Sequence, residues 1–123
     1  METSIGSFSP LVLAYAGDAV IELLAREKLV RTCPAQLSTL NEMCRKYVTA
    51  VNQSAASVKA EALFTEEEAT IFRRGKNTRI HSTPRSTDVK DYHRATGLEA
   101  VFGFLYLSGN TERARELFDA IYQ

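Results

Sequence analysis

The sequence predicts an all-α fold, a helical bundle of five to seven helices, and three observations carry that expectation. Apolar residues recur at helical spacing in stretch after stretch, capping residues precede most of those stretches, and nothing alternates apolar with polar residues as a half-buried strand would. Ser9 followed by Pro10 reads as an N-cap with proline in the first turn, opening a helix that extends to about Leu29 and stops at Cys33-Pro34. Pro34 is expected to open the next one. Leu37, Leu40, Met43, Cys44 and Tyr47 keep helical spacing, as do Val48, Val51, Ala55, Val58 and Ala62, which fits one long bent helix or two short ones. Thr65-Glu66-Glu67-Glu68 is a capping box with acids in the first turn, and Gly75 is expected to cap the other end of the helix it opens.

Lys76 to Thr87 has serines, threonines, Pro84 and basic residues but no apolar period, so it reads as an exposed loop. Thr87-Asp88 then caps a helix reaching about Leu107, ended by Ser108-Gly109-Asn110. Thr111 opens a last amphipathic helix with Ala114, Leu117, Phe118 and Ile121 on one side.

The 123 residues fit one domain, spanning 1–123, against a usual domain size of about 150 residues. With 45% hydrophobic and 24% charged residues the composition is that of a globular chain and excludes disorder throughout. Cys33 and Cys44 are too few for a disulfide scaffold and lack zinc-site spacing, which suits reduced thiols in the cytoplasm. The N-terminal residues carry an acid where a secretory signal carries positive charge, and the longest apolar run, Leu11 to Ala25, is broken by Asp18 and Glu22. A cytoplasmic protein with no membrane partner is expected.

Two helices are apolar nearly all round. Leu11–Ala25 holds only Asp18 and Glu22, on one face at i, i+4, and Gly97–Leu107 holds only Glu99. A carboxylate in a buried helix costs several kcal/mol unless a cation or donors satisfy it. Gly17 and Gly103, each costing about 1 kcal/mol inside a helix relative to alanine, are excused where helices approach closely. If the two helices pack face to face, Asp18 and Glu99 converge into an acidic cluster suited to a hard divalent cation, magnesium, with manganese as a substitute. On spacing alone two readings stand: this metal site, or acids paired with arginines. Glu22, one turn on, is a third candidate ligand or an ordinary salt-bridge partner.

The formal net charge of zero hides a separation. Between residues 73 and 94, Arg73, Arg74, Lys76, Arg79, Arg85, Lys90 and Arg94 face only Asp88 and Asp91, a segment of plus five that leaves minus five elsewhere. His81, His93 and the hydroxyls of Ser82, Thr83, Ser86 and Thr87 could add to it. Such a segment beside an acidic metal cluster suits a phosphodiester whose backbone the cations grip, and the competing reading is a solvated charged loop.

With Leu13-Ala14-Tyr15-Ala16-Gly17-Asp18-Ala19-Val20-Ile21-Glu22-Leu23 and Gly97-Leu98-Glu99-Ala100-Val101-Phe102-Gly103-Phe104-Leu105-Tyr106-Leu107-Ser108-Gly109 in hand, the chain resembles the ribonuclease III catalytic domain over essentially its whole length. The segments Arg74-Gly75-Lys76-Asn77, Thr83-Pro84-Arg85-Ser86-Thr87-Asp88-Val89 and Tyr92 to Thr96 resemble the Mini-ribonuclease III subfamily, the short form without a double-stranded-RNA-binding domain. The resemblance implies an all-helical homodimer that cleaves both strands of double-stranded RNA, with magnesium-activated water leaving 5′-phosphate and 3′-hydroxyl ends. It implies a role in maturing large-subunit (23S) ribosomal RNA precursor, with a ribosomal protein as a candidate presenter of the substrate. By motif, Asp18 and Glu99 match catalytic metal ligands, and Tyr15 matches an aromatic that inserts across the dimer interface. Typical full-length members carry further acids at the positions of Leu11, Ala14 and Thr96, so two matched ligands remain. A second reading, from another class, is a nuclease-like module that binds structured RNA or ribosomal precursor without cutting it.

Overall fold

The structure is a computed structural model that describes residues 4–79 and 88–122. It consists of a 3-10 turn, Ile5–Ser7, and six helices: α1 (Pro10–Thr32), α2 (Leu37–Val48), α3 (Ala50–Glu61), α4 (Glu66–Lys76), α5 (Val89–Leu107) and α6 (Thr111–Ile121). No described residue lies in a strand, and no described helix is long and apolar enough to cross a membrane.

Helix α5 is the axis of the bundle, packed on α1, α3, α4 and α6. From Ala95 to Leu105 every residue except Glu99 is buried. The α1–α5 crossing is set by glycines. A Cβ on Gly17 would lie 1.6 Å from the Glu99 carbonyl oxygen, and one on Gly103 would lie 1.9 Å from that of Leu13. Each backbone therefore occupies the volume a side chain would need on the other. Around this contact Leu13, Ile21, Leu98, Phe102, Leu117 and Phe118 are almost wholly buried, with the Phe102 and Phe118 rings edge to face at 6.5 Å.

Several local expectations shift. Pro34 does not open α2, which begins at Leu37 with Gln36 as N-cap, because Cys33 to Gln36 crosses between helices as an extended link. The long central stretch is two helices broken at Thr49, whose backbone is extended (φ −74°, ψ 148°). Gly75 is not the C-cap of α4. The helix runs on to Lys76 with Asn77 as cap, and Gly75 serves packing instead, since a Cβ there would lie only 2.8 Å from the Gly97 Cα. Asp88 caps α5 through the Lys90 and Asp91 N–H groups, whereas Thr87 lies outside the described residues. Gly109 (φ 81°) ends α5 as expected: the Asn110 N–H reaches the Leu105 carbonyl and the Gly109 N–H that of Tyr106. Helix α6 begins at Thr111 as expected, with the Asn110 side chain accepting from the Arg113 N–H as its cap.

Helix α1 also departs from its expected burial. Leu11, Val12, Tyr15, Leu23 and Val30 are exposed, Tyr15 to 85%. An apolar helix that leaves such a face uncovered within its own chain presents it to something else.

Candidate active site

Because Gly17 lies against the Glu99 backbone, the next residue of α1 is carried to the edge of the same contact. There Asp18 and Glu99 line one cleft of about 330 Å³, the convergence expected if the two helices pack face to face. Leu11, Ala14 and Tyr15 of α1 form one wall and Tyr92, Ala95 and Thr96 of α5 another. Val48, Ala50 and Gln53 close it from the α2–α3 junction. The break at Thr49 is what turns α3 so that Gln53 reaches this cleft.

The two acids differ in their surroundings. Asp18 is exposed at the mouth, while Glu99 is half-buried beneath it. Burial pushes the Glu99 carboxyl up to about 8, and Asp18 adds to this through its charge and a hydrogen bond, with the Gln53 amide opposing. Near neutral pH the pair therefore holds a proton between two oxygen-rich groups. A divalent cation relieves the same repulsion, and all-oxygen donors suit a hard one.

The cluster is smaller than the three acids of the sequence. Glu22 does not line the cleft; it faces solvent and pairs with Arg26 at 3.0 Å, one turn along the helix. Among the described residues no group of three His, Cys, Asp or Glu side chains stands close enough to hold a metal.

The basic segment divides into two kinds of residue. Arg73, Arg79 and Lys90 are exposed, and Lys76 is half-exposed with its ammonium 5.7 Å from the Phe72 ring. Arg74 and Arg94 are engaged within the chain, which the sequence does not anticipate. Arg74 donates to the carbonyls of Gly6 (2.6 Å) and Phe8 (3.1 Å), fastening the N-terminal turn to α4. Arg94 donates to Ser57 Oγ (2.9 Å), pairs with Glu61 and lies over the Phe72 ring, so it ties α5 to α3. Arg85 lies outside the described residues, as do His81, Ser82, Thr83, Ser86 and Thr87.

Residues 11–110 match the model of the ribonuclease III domain. The chain is 40% identical over 117 residues to Mini-ribonuclease 3 of Thermoanaerobacter sp. (strain X514), covering 95% of this chain and 82% of that protein. It is 36% identical over 122 residues to Mini-ribonuclease 3 of Staphylococcus aureus, covering 98% and 91%. A crystal structure of a Fusobacterium nucleatum protein superposes with a TM-score of 0.87 at 33% identity, covering 98% of this chain and 97% of that one. The chain belongs to the ribonuclease III family. It is accordingly an endoribonuclease of a family that acts on double-stranded RNA, usually as a dimer.

Within this ribonuclease III domain, the three positions where typical members carry further acids, Leu11, Ala14 and Thr96, all line the Asp18–Glu99 cleft. They bring apolar surface and one hydroxyl, and that hydroxyl donates to the Tyr92 carbonyl at 2.9 Å. Gln53 is the site residue that the sequence reading misses. Its signal is faint: a long polar side chain in register with Ala56, Ser57 and Ala60, the inward face of α3.

Proposed function

We propose that this endoribonuclease hydrolyses duplex RNA in the cleft between α1, α3 and α5, with Asp18 and Glu99 as the ligands of a magnesium ion. The observation that carries the reading is the convergence of these two carboxylates from α1 and α5, with Glu99 pushed up to about 8 by burial and by Asp18. A bound magnesium ion would supply charge neutralisation at the phosphate and activation of the attacking water. The chain's own part is to hold that charge at a fixed point, Glu99 from the floor and Asp18 from the mouth, between apolar walls that limit water. Arg73, Lys76, Arg79 and Lys90, with Arg85, grip the flanking phosphates; each such contact contributes affinity that weakens with salt. An A-form duplex read by shape and backbone asks for no base-specific side chains here.

The exposed face of α1 is the homodimer contact in this reading, with Tyr15 at the cleft edge reaching toward the second copy. Likeness to the Mini-ribonuclease 3 chains supports large-subunit ribosomal RNA precursor as the substrate, and the cytoplasm as the place of action. The test is cleavage of duplex RNA with magnesium by the parent, Asp18→Asn and Glu99→Gln. Loss of at least about 1,000-fold in rate is expected in each variant, with duplex binding retained. Parental cleavage rates in Asp18→Asn would remove the cleft from the reaction.

A further inference from the structure

Among the described residues two buried side-chain nitrogens have no hydrogen-bond partner, His93 Nδ1 and Gln53 Nε2, and of the two only Gln53 lines the cleft of Asp18 and Glu99. Gln53 is 2% exposed, so its amide cannot turn to bulk water. An unmade hydrogen bond of this kind costs about 1–3 kcal/mol, and a methionine would fill the same volume without that cost. Elsewhere the inward face of α3 is small or satisfied: Ala56 and Ala60 carry no polar side-chain atom, and the Ser57 hydroxyl donates to the Ser54 carbonyl at 2.6 Å. The long uncharged donor thus stands where the two carboxylates stand.

We infer that Gln53 is a positioning residue for the reaction: in the cation-loaded site its side-chain amide donates to the Glu99 carboxylate and fixes the direction in which that carboxylate presents its oxygens to the cation. Three features support this. The amide comes from α3, a third helix, so it fixes Glu99 relative to α1 without depending on the α1–α5 crossing itself. Thr96, which also lines the cleft, already gives its hydroxyl to the Tyr92 carbonyl and so does not compete. With Leu11 and Ala14 bringing no carboxylate, the geometry of the two that remain carries more of the cation's affinity. Groups of this kind, which touch a ligand and not the metal, change cation affinity or turnover by about 10–100-fold.

The inference rests on the proposed cation site at Asp18 and Glu99, and the experiment separates the two. Manganese is titrated into the RNA-free protein by calorimetry for the parent, Asp18→Asn, Gln53→Met and Gln53→Glu, with thermal unfolding, kcat and KM for a duplex measured on each. Gln53→Met is expected to melt at or above the parental temperature, because an unpartnered buried donor has gone. It is also expected to bind manganese about 10-fold more weakly and to lose at least about 10-fold in kcat, with KM within about twofold. Gln53→Glu keeps the length but loses the donor, so its kcat is expected to fall as far. Manganese affinity and kcat within about twofold of the parent in Gln53→Met would overturn the inference, as would a melting temperature that falls together with activity. Retention of manganese binding in Asp18→Asn would overturn the cation site and the inference with it.

Discussion

Glu68 at the start of α4 and Glu99 in the middle of α5 both sit at helix contacts, and their neighbours treat them in opposite ways. Glu68 is 3% exposed, yet both of its oxygens are occupied. Arg113 of α6 donates to it twice, at 2.9 and 2.8 Å, and the Thr65 N–H donates at 3.0 Å to close the capping box. Burial alone would raise its pKa, but Arg113 and the Thr65 N–H outweigh burial and hold the carboxyl below the usual range. Among the described residues no cation pairs with Glu99; burial and the Asp18 carboxylate push it up to about 8, against the opposition of Gln53. One acid closes a structure and the other is left needing a charge. In the proposed reading, that difference separates a carboxylate kept for stability from one kept for chemistry more clearly than burial does, since the stabilising acid is the more buried of the two.

The sharpest way to break this contrast is to exchange the consequences. Glu99→Gln is expected to lose at least about 1,000-fold in cleavage while melting no lower than the parent, because it removes a carboxyl that the folded chain must keep protonated beside Asp18. Arg113→Leu is expected to do the reverse. It strands Glu68 without its cation and the Leu63 carbonyl without its 2.7 Å donor, for a loss of about 3 kcal/mol. For a chain of this length that is on the order of 10 °C in melting temperature, with kcat at permissive temperature changed little. A Glu99→Gln protein as unstable as Arg113→Leu would erase the distinction.

The same contrast has a sign in pH. Glu99 titrates ordinarily near 4.5 and here near 8, so between those values the folded chain holds a proton that the unfolded chain has released. Stability from this group is therefore present below pH 4.5 and is lost as pH rises to about 8. Glu68, held low, contributes in the opposite sense: its stabilisation is present above its ordinary value and is lost as acid protonates it. Metal-free parent protein should lose melting temperature between pH 5 and 8 relative to Glu99→Gln measured in parallel, and a difference that does not change with pH would contradict the assignment. Measuring the two proteins in parallel cancels the contributions that they share.

Much of this was legible in the sequence, and the parts that were not share a cause. The capping box at Thr65–Glu68 is contiguous and could be read directly, but Arg113 lies 45 residues away, and nothing local marks it as the partner of Glu68. The convergence of Asp18 and Glu99 was legible because Gly17 and Gly103 announce close approach in two otherwise apolar helices. The uncovered face of α1 was not, since an all-round apolar pattern looks the same whether its own chain or another surface covers it. Arg74 and Arg94 look like their neighbours in a basic run until the fold brings the Gly6 and Phe8 carbonyls to one, and Ser57 and Glu61 to the other. Gln53 is the extreme case: a long polar side chain on the small-residue inward face of α3 acquires meaning only from what stands opposite it.

A smaller effect follows from the site being a pair of carboxylates. With Leu11, Ala14 and Thr96 lining the cleft in place of acids, the cation's remaining positions fall to water or to phosphate oxygens. Magnesium affinity is therefore expected to rise by about 10-fold, or about 1.4 kcal/mol, when a cleavage-resistant duplex is present, as measured by calorimetric titration with and without it. Equal affinities would mean that the chain alone completes the shell, and would weaken the contrast between an acid that is satisfied and one that waits for its partner.

The smallest expected effect falls on the third acid. Glu22 shares the face of α1 with Asp18 in sequence, but it makes an exposed i, i+4 pair with Arg26 and stays outside the cleft. Exposed pairs of that kind contribute little and are screened by salt, because both charges keep most of their hydration. Glu22→Ala should therefore leave the melting temperature close to the parental one and kcat, KM and magnesium dependence at parental values. A raised magnesium requirement in Glu22→Ala would mean that this side chain turns from Arg26 toward Asp18 when the cation binds. The chemical carboxylates would then number three, and the boundary between acids that stabilise and acids that react would run through α1 one turn further on.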